Sequence, residues 1–457
     1  MENWPNRVRW PHIMSDTATD YSSEVHEAGA VRQPLFLLKL LIQTGLARLL
    51  PGVQRRLGGG ANFLRYYSNR LLTSPLWELE CAADSLEPQG TDVLDLAQGF
   101  PCFDVLPSAG TKLPADRRGW PPFAGLAELR SAVAEKLLRD NSLAFNPAGE
   151  VHITAGALGA VQTVLDAFVN RGDRVVLLDP CSPLYPLLVG ARQARIRWLS
   201  TWADNGRTRF RIEHLAQALR GARLLVLNSP ANPTGGVLAP EDLDQIAWWA
   251  DRNDVLILSD EVFERYNPDG PRVSIGTLPH ARQRTLTAGS VSQGYALASA
   301  RVGWLAAYRH LLRPCLLTAA LRSPFVPTVS QQIALSALRC DPAGFEPIRA
   351  EFASRRRYGY ERLRAMELNV VWPAGGFFLW APVWERGVSG RRFAEGLLHD
   401  RKVRVTPGDL FGPSGAGYIR ISCAIDDGRL QEGLNRLAEY LQTAFGGAAS
   451  QVQPVAA

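Results

Sequence analysis

Short apolar segments that end in polar residues recur through the middle of the chain. They alternate with stretches in which apolar residues return at helical spacing. Five such segments span 174–179, 223–228, 255–260, 285–290 and 302–307, and the helical stretches between and before them include 125–141, 157–171 and 240–252. This alternation predicts an α/β fold whose large domain is a mostly parallel sheet covered by helices on both faces. After about residue 370 the pattern changes to that of a smaller α+β domain.

In such sheets a ligand lies beyond the carboxyl ends of the strands. The polar residues at those ends are Asp179, Asn228, Asp260 and Ser290. Asp260 is suited to pair with a protonated ring nitrogen, although a strand-end Asp is more often a helix cap. The ends of the strands therefore indicate a polar binding site but do not by themselves identify the ligand.

A second group of residues suits a phosphate. Ala157 and Leu158 open a helix directly after a strand, so their amides are placed to bind an anion. Ser290, Ser292 and Arg301 would add two hydroxyls and a guanidinium. Taken one at a time these signals are weak, since a lone Arg is usually part of a surface ion pair.

Composition excludes several other functions. The net charge of +6 is spread over 457 residues, which argues against nucleic-acid binding. The six cysteines are scattered without a Cys/His cluster, so we expect no metal site and no disulfide framework, and a cytoplasmic location. An apolar stretch at 34–51 is too short and too interrupted to span a bilayer. It is predicted to pack on the protein or a dimer mate, with membrane or partner docking as the alternative.

In order along residues 66–445, these motifs resemble those of the class I/II aminotransferases, which use pyridoxal phosphate (PLP) and have its fold type I. The resemblance is carried by Gly99-Phe100-Pro101, by the P-x-x-G-x-x-x-L-R segment at 122–130, by the N-P-x-N-P-T-G-like segment at 228–235, and by Ser259-Asp260-Glu261-Val262, Ser290-Val291-Ser292-Gln293, Arg301-Val302-Gly303 and Gly417-Tyr418-Ile419-Arg420. It implies that Asn232 binds the pyridine O3′ and Asp260 the ring nitrogen. It also implies that Arg301 binds the phosphate, and Arg420 the substrate carboxylate beside the Gly99 turn.

The chain departs from this family where the family forms its covalent bond to the coenzyme. Gln293 occupies the position of the Schiff-base lysine, and an amide is neither a nucleophile nor a base. Phe263 stands where the family has a Tyr that bonds O3′, so a deliberate replacement at 293 alone would not explain the sequence. Ser182 falls near the ring-stacking aromatic, and Trp120 near a Tyr that the dimer mate lends to the phosphate. Only four lysines occur in the chain.

Three hypotheses follow for the function. The first is an enzyme that binds PLP or pyridoxamine phosphate non-covalently and acts on a small carboxylate, with Tyr185, Tyr295 or a group of the substrate as a replacement base. The second is an enzyme without a cofactor that binds another anionic substrate in the same cleft, with Gln293 as a hydrogen-bonding group. The third is a non-catalytic scaffold. The family resemblance implies a homodimer, although a scaffold would pair with an active homologue through the same face.

The resemblance also gives domain boundaries. Residues 1–65 form an N-terminal extension, 66–111 the first part of the small domain, 112–325 the large domain, 326–445 the remainder of the small domain, and 446–457 a disordered tail. These boundaries are expectations from the family pattern, as is the biosynthetic role that a specialised, lysine-less member would have.

Overall fold

The computed structural model describes residues 92–97, 121–267, 273–322, 325–340 and 345–445. All of them belong to the second of two compact units, which runs from Thr73 to Ala457. The predictions for the extension at 1–65, its apolar stretch at 34–51 and the tail at 446–457 lie outside the described residues. The same is true of Gly99 and Trp120.

A sheet of eight strands dominates the described part of the chain. Its strands are β2 (Val151–Thr154), β3 (Arg174–Asp179), β4 (Arg195–Asp204), β5 (Arg207–Phe210), β6 (Leu224–Asn228), β7 (Leu256–Asp260), β8 (Thr285–Ser290) and β9 (Gly303–Ala306). Their order across the sheet is β2-β9-β8-β7-β6-β3-β4-β5. The consecutive pairs from β8 to β4 are parallel, whereas β9 and β5 run antiparallel to their neighbours. The predicted mostly parallel sheet is confirmed.

Helices connect and cover these strands because the central strands are apolar on both faces. They are α1 (Ala127–Asn141), α2 (Gly156–Phe168), α3 (Leu184–Ala191), α4 (Ile212–Leu219), α5 (Pro240–Arg252), α6 (Val291–Gly294), α7 (Arg309–Arg322) and α8 (Thr328–Arg339). The residues of β6 and β8 are all buried. Two apolar clusters on opposite sides of the sheet illustrate this, one containing Leu177 and Leu258 and the other Val176 and Ile257.

A smaller sheet follows in the chain. The strands β10 (Phe378–Pro382), β12 (Thr406–Pro407) and β13 (Tyr418–Ser422) form an antiparallel group, while β1 (Leu94–Asp95) pairs in parallel with β11 (Val403–Arg404). Helices α9 (Glu346–Ala365), α10 (Gly390–Arg401) and α11 (Asp427–Phe445) pack on these strands around an apolar core. Together with the large sheet, these three-stranded and two-stranded sheets confirm the predicted fold class. The domain boundaries remain a prediction.

Two features of the large sheet differ from the sequence prediction. The segment predicted at 302–307 forms β9, which is antiparallel and lies between β2 and β8. Strands β4 and β5 form an antiparallel hairpin whose residues are mostly half-buried or exposed, so no apolar run marked them. Among the residues that the structure describes, none of the helices combines the length and the apolar character needed to cross a bilayer.

Candidate active site

A cavity of about 600 Å³ opens beyond the carboxyl ends of β3, β6, β7 and β8. This is the place where an α/β sheet binds its ligand. It is lined by most of the predicted site residues, namely Ala157, Leu158, Ser182, Tyr185, Asn232, Asp260, Phe263, Ser290, Ser292, Gln293, Arg301 and Arg420. The tertiary structure therefore brings together side chains that are up to 263 residues apart in the sequence, as between Ala157 and Arg420.

One corner of the cavity is built from the first turn of α2. No acidic residue occurs in that turn, and no side chain caps it, so its amides are available to an anion. The guanidinium of Arg301 lies against Gly156, where an added Cβ would be 2.7 Å from Nη2. A Cβ at Gly303 would likewise lie 2.7 Å from the Ala157 nitrogen. The two glycines therefore let the guanidinium and the helix amides approach the same point, as a phosphate requires.

Asp260 ends β7 and points into the cavity from its floor. Its Oδ2 accepts a 2.6 Å hydrogen bond from the Tyr185 hydroxyl, and its Oδ1 accepts one of 3.3 Å from the Val262 amide. The side chain of Asn228 donates to the Asp260 carbonyl oxygen at 2.9 Å. Burial raises the pKa of Asp260 to about 6, and the bonds from Tyr185 and Val262 oppose that rise. A cation placed against this carboxylate, such as a protonated ring nitrogen, would favour its charged form.

The structure separates the two tyrosines that were predicted as replacement bases. Tyr185 lines the cavity, but it donates its proton to Asp260. Burial and the neighbouring Asp260 raise its pKa well above the ordinary value, so the geometry favours a role in positioning Asp260 over one as a base. Tyr295 is not among the lining residues: it packs in the apolar cluster between α1 and β9, with the Arg265 guanidinium 4.0 Å from its ring centroid. Tyr295 directly follows the short helix α6, and its side chain packs away from the cavity.

Gln293 lies in α6, immediately after β8, and lines the cavity. The Ser290 hydroxyl donates to its Oε1 at 2.8 Å, and the Tyr266 hydroxyl donates to its backbone oxygen at 2.7 Å. The side chain is half-buried and is held by its own strand end. Its amide therefore occupies a fixed position in the cavity and offers hydrogen bonds but no nucleophile.

Phe263 and Ser182 also lie at the cavity wall. Phe263 is buried against Phe377 and Phe378, with ring centroids 5.4 and 5.7 Å away, so it adds an apolar surface without a hydroxyl. Ser182 contributes a small polar side chain at the start of α3. The structure thus places both of these sequence-predicted residues at the cavity wall.

Arg420, in β13, is buried without an acidic partner in direct contact. Its Nη1 donates to Asn232 Oδ1 at 2.8 Å, and its Nη2 donates to the Ala97 carbonyl oxygen at 2.6 Å and to Thr406 Oγ1 at 3.3 Å. Its Nε has no acceptor among the described residues. Burial lowers the pKa of Arg420 to about 9, an effect that the charge of Asp95 partly opposes. A buried cation with an unused N–H is suited to bind a carboxylate.

Neither lysine in the described part of the chain reaches the cavity. Lys136 is buried beneath the sheet, where it bonds Asn141 at 2.6 Å and forms an ion pair with Glu264. Lys402 follows α10 and donates to the His399 carbonyl oxygen at 2.6 Å. Neither amine can therefore react with a ligand bound beside Gln293.

Sequence reasoning missed two charged residues of the cavity wall, Asp95 and Arg404. They are neighbours because β1 and β11 pair in parallel, with Asp95 opposite Arg404. Both strands have only two residues, which is too short to show any periodicity. Only the order of polar and apolar residues around the Gly99 turn could have drawn attention to Asp95.

Comparisons with known proteins agree with this geometry. Residues 91–437 match the family model described as aminotransferase class I and II. The chain is 32% identical over 362 residues to an aspartate aminotransferase of Pyrococcus abyssi, covering 77% of this chain and 92% of the relative. It is 31% identical over 374 residues to an arginine–pyruvate transaminase of Pseudomonas aeruginosa, covering 79% and 93%.

Solved structures show the same likeness. The aspartate aminotransferase of Thermus thermophilus, solved with maleate, superposes with a TM-score of 0.75 at 29% identity, covering 80% of this chain and 96% of that chain. Since the family model spans most of the sequence and the cavity lies where the sheet topology requires, this chain belongs to the class I and II aminotransferase family.

Proposed function

We propose that this chain is an enzyme of the aminotransferase fold that binds PLP or pyridoxamine phosphate without a covalent bond and acts on an amino-acid-like carboxylate. The observation that carries the proposal is the placement of Gln293. Its amide lies inside the cavity, fixed by Ser290, with both described lysines elsewhere. An amide cannot form the covalent link that ordinary transamination by this family uses.

The remaining groups suit the coenzyme. The α2 amides, Arg301 and the Ser290 and Ser292 hydroxyls would hold its phosphate, and Asp260 would hold a proton on its ring nitrogen. When bound, the coenzyme supplies a protonated pyridine ring that accepts electrons from the substrate. Tyr185 keeps the Asp260 carboxylate oriented, and Arg420 orients the substrate through its carboxylate. By analogy with its relatives, we further propose that the protein is a homodimer and lies in the cytoplasm. Light scattering would test the homodimer.

A second candidate is supported by Phe263 and Ser182. Both reduce the contacts that would grip the pyridine ring, since one lacks a hydroxyl and the other lacks an aromatic face. An enzyme without a cofactor would use Arg301 and Arg420 as two anion anchors, and its chemistry would come from positioning and electrostatics. The geometry around Asp260 favours the first candidate, because a buried carboxylate with a raised pKa needs a cationic partner to remain charged.

The test is a spectroscopic titration of the purified protein with PLP and, separately, with pyridoxamine phosphate, each followed by borohydride treatment and dialysis. Saturable binding with no label retained on the protein is the expected result. Absence of binding at millimolar concentrations of both compounds would overturn the proposal and leave the cofactor-free candidate.

A matched pair of variants makes the assay specific for position 293. Gln293→Lys should give a covalent link to PLP that borohydride makes permanent, since the new amine would enter the cavity where the amide now lies. Gln293→Met keeps the volume and should bind PLP reversibly, like the wild type. Lack of labelling in the folded lysine variant would show that residue 293 does not face the coenzyme.

A further inference from the structure

We infer that the Asp95–Arg404 ion pair makes the cavity select ligands with a single carboxylate and an uncharged, apolar body, and makes it reject dicarboxylates. The inference rests on the proposed function for the nature of the ligand, and it names the substrate class of the same site. Asp95 and Arg404 are the specificity-determining residues.

The geometry of the pair is that of a closed, two-point contact. Arg404 Nε donates to Asp95 Oδ1 at 3.0 Å, and Arg404 Nη2 contacts the other carboxylate oxygen. Asp95 Oδ1 also accepts a 2.8 Å hydrogen bond from the Ala97 amide. The Asp95 side chain is 29% exposed and the Arg404 side chain 16% exposed, so water competes only partly with the bonds between them. Arg404 therefore already has a carboxylate bound to it, supplied by the protein.

The charges of the described lining residues can then be assigned to ligand groups. They are Asp95, Asp260, Arg301, Arg404 and Arg420. Arg301 lies at the phosphate corner and Asp260 at the ring position, while Asp95 and Arg404 neutralise each other. This leaves Arg420 as the cation for a substrate carboxylate.

The surroundings of Arg420 are apolar on the side that a substrate body would occupy. Its guanidinium lies 5.0 Å from the Phe411 ring centroid, and Val405, Pro407 and Leu184 also line the cavity. Leu184 is 38% exposed, which leaves it available to a ligand. A hydrophobic or aromatic side chain would cover these surfaces and gain the free energy of burial.

Among the described lining residues, none offers a free cation for the second charge of a dicarboxylate. Its distal carboxylate would lie near the Phe411 ring and near Arg404, which is already bonded to Asp95. The negative charges of the ligand and of Asp95 would repel each other at short range. We therefore expect the affinity for succinate to be at least about tenfold lower than that for 3-phenylpropionate.

The experiment is isothermal titration of the full chain with 3-phenylpropionate and with succinate, both without coenzyme and with saturating pyridoxamine phosphate. Binding of the coenzyme itself is read separately by its absorbance, so the proposed function and this inference can fail independently. Equal or tighter binding of succinate, or no saturable binding of 3-phenylpropionate in either condition, would overturn the inference.

Variants identify the residues responsible. Asp95→Asn retains the acceptor for the Ala97 amide but removes the charge, so it should improve succinate binding at least about fivefold and leave 3-phenylpropionate nearly unchanged. Arg404→Gln should instead lower the affinity for both ligands, because the unpaired Asp95 then repels every carboxylate. Asp92→Asn is the matched control, since Asp92 pairs with Arg429 at 3.0 Å outside the cavity and should change neither affinity. An unaltered preference in both cavity variants would refute the assignment.

Discussion

The buried carboxylate of Asp260 should lower the free energy of unfolding of the ligand-free protein, and replacing this residue should show by how much. The carboxyl has an ordinary pKa of 3.8, which burial raises to about 6 in the folded chain. That difference corresponds to about 3 kcal/mol of unfavourable free energy for the charged form. We therefore expect Asp260→Asn to raise the free energy of unfolding at pH 7.5 by about 2 to 3 kcal/mol, while it abolishes tight binding of the coenzyme.

The effect should depend on pH in a defined direction. Because the folded-state pKa lies above that of the unfolded chain, the folded state binds the proton more tightly. The penalty is absent below pH 3.8, grows as the pH rises towards 6, and is complete above it. The stability gained by Asp260→Asn should thus be about 1 to 2 kcal/mol larger at pH 7.5 than at pH 5.

Urea unfolding of the two proteins at pH 5 and pH 7.5 measures both quantities. Asp251→Asn is a suitable control, because the side-chain bonds from His280 and Arg284 lower the pKa of the exposed Asp251. That variant should lose stability at neutral pH, opposite in sign to the change at Asp260. A destabilised Asp260→Asn protein at pH 7.5, or a gain that does not change with pH, would refute the electrostatic reasoning.

Three further predictions test other parts of the site. Gly156→Ala should lower the free energy of unfolding by about 1 to 2 kcal/mol, because Gly156 has a positive φ of 70°. It should also weaken phosphate binding, because the new Cβ would displace Arg301. The control Gly172→Ala, with φ 85° and open space at its Cβ, should lose stability in urea titrations but leave phosphate binding unchanged. Arg420→Gln should lower the affinity for carboxylates at least about tenfold, because it removes the buried charge while keeping a hydrogen-bonding side chain, and calorimetry at pH 8 would show this. Ser414→Ala removes a 2.8 Å bond to the Asp that ends β3, and thermal unfolding should detect a loss of about 1 kcal/mol.

Several of the site residues that the sequence identified share one property. They lie at a strand end or at a helix start, where the local pattern fixes their place. Asp260 ends a buried strand, Ala157 and Leu158 open α2, and Gln293 follows β8. Because parallel strands bring their carboxyl ends to one edge, the order of elements was enough to predict that these groups meet.

The tertiary structure decided which of those residues line the cavity and which are packed elsewhere. Tyr185 and Tyr295 are equivalent in the sequence as tyrosines near motifs. Packing gives one a hydrogen bond to Asp260 and buries the other beside Arg265. The direction of a side chain depends on contacts with distant elements, and these do not appear in local periodicity.

By itself the sequence determined the class of fold, which the structure confirms, and it predicted Gln293 and the candidate anion-binding groups, because these depend on local pattern and on chemical type. The pairing of Asp95 with Arg404 was decided only by the tertiary structure, since it joins strands more than three hundred residues apart. The same is true of the charge that remains for a substrate. Electrostatic balance within a cavity is a sum over neighbours in space, and the order of residues along a chain does not fix that sum.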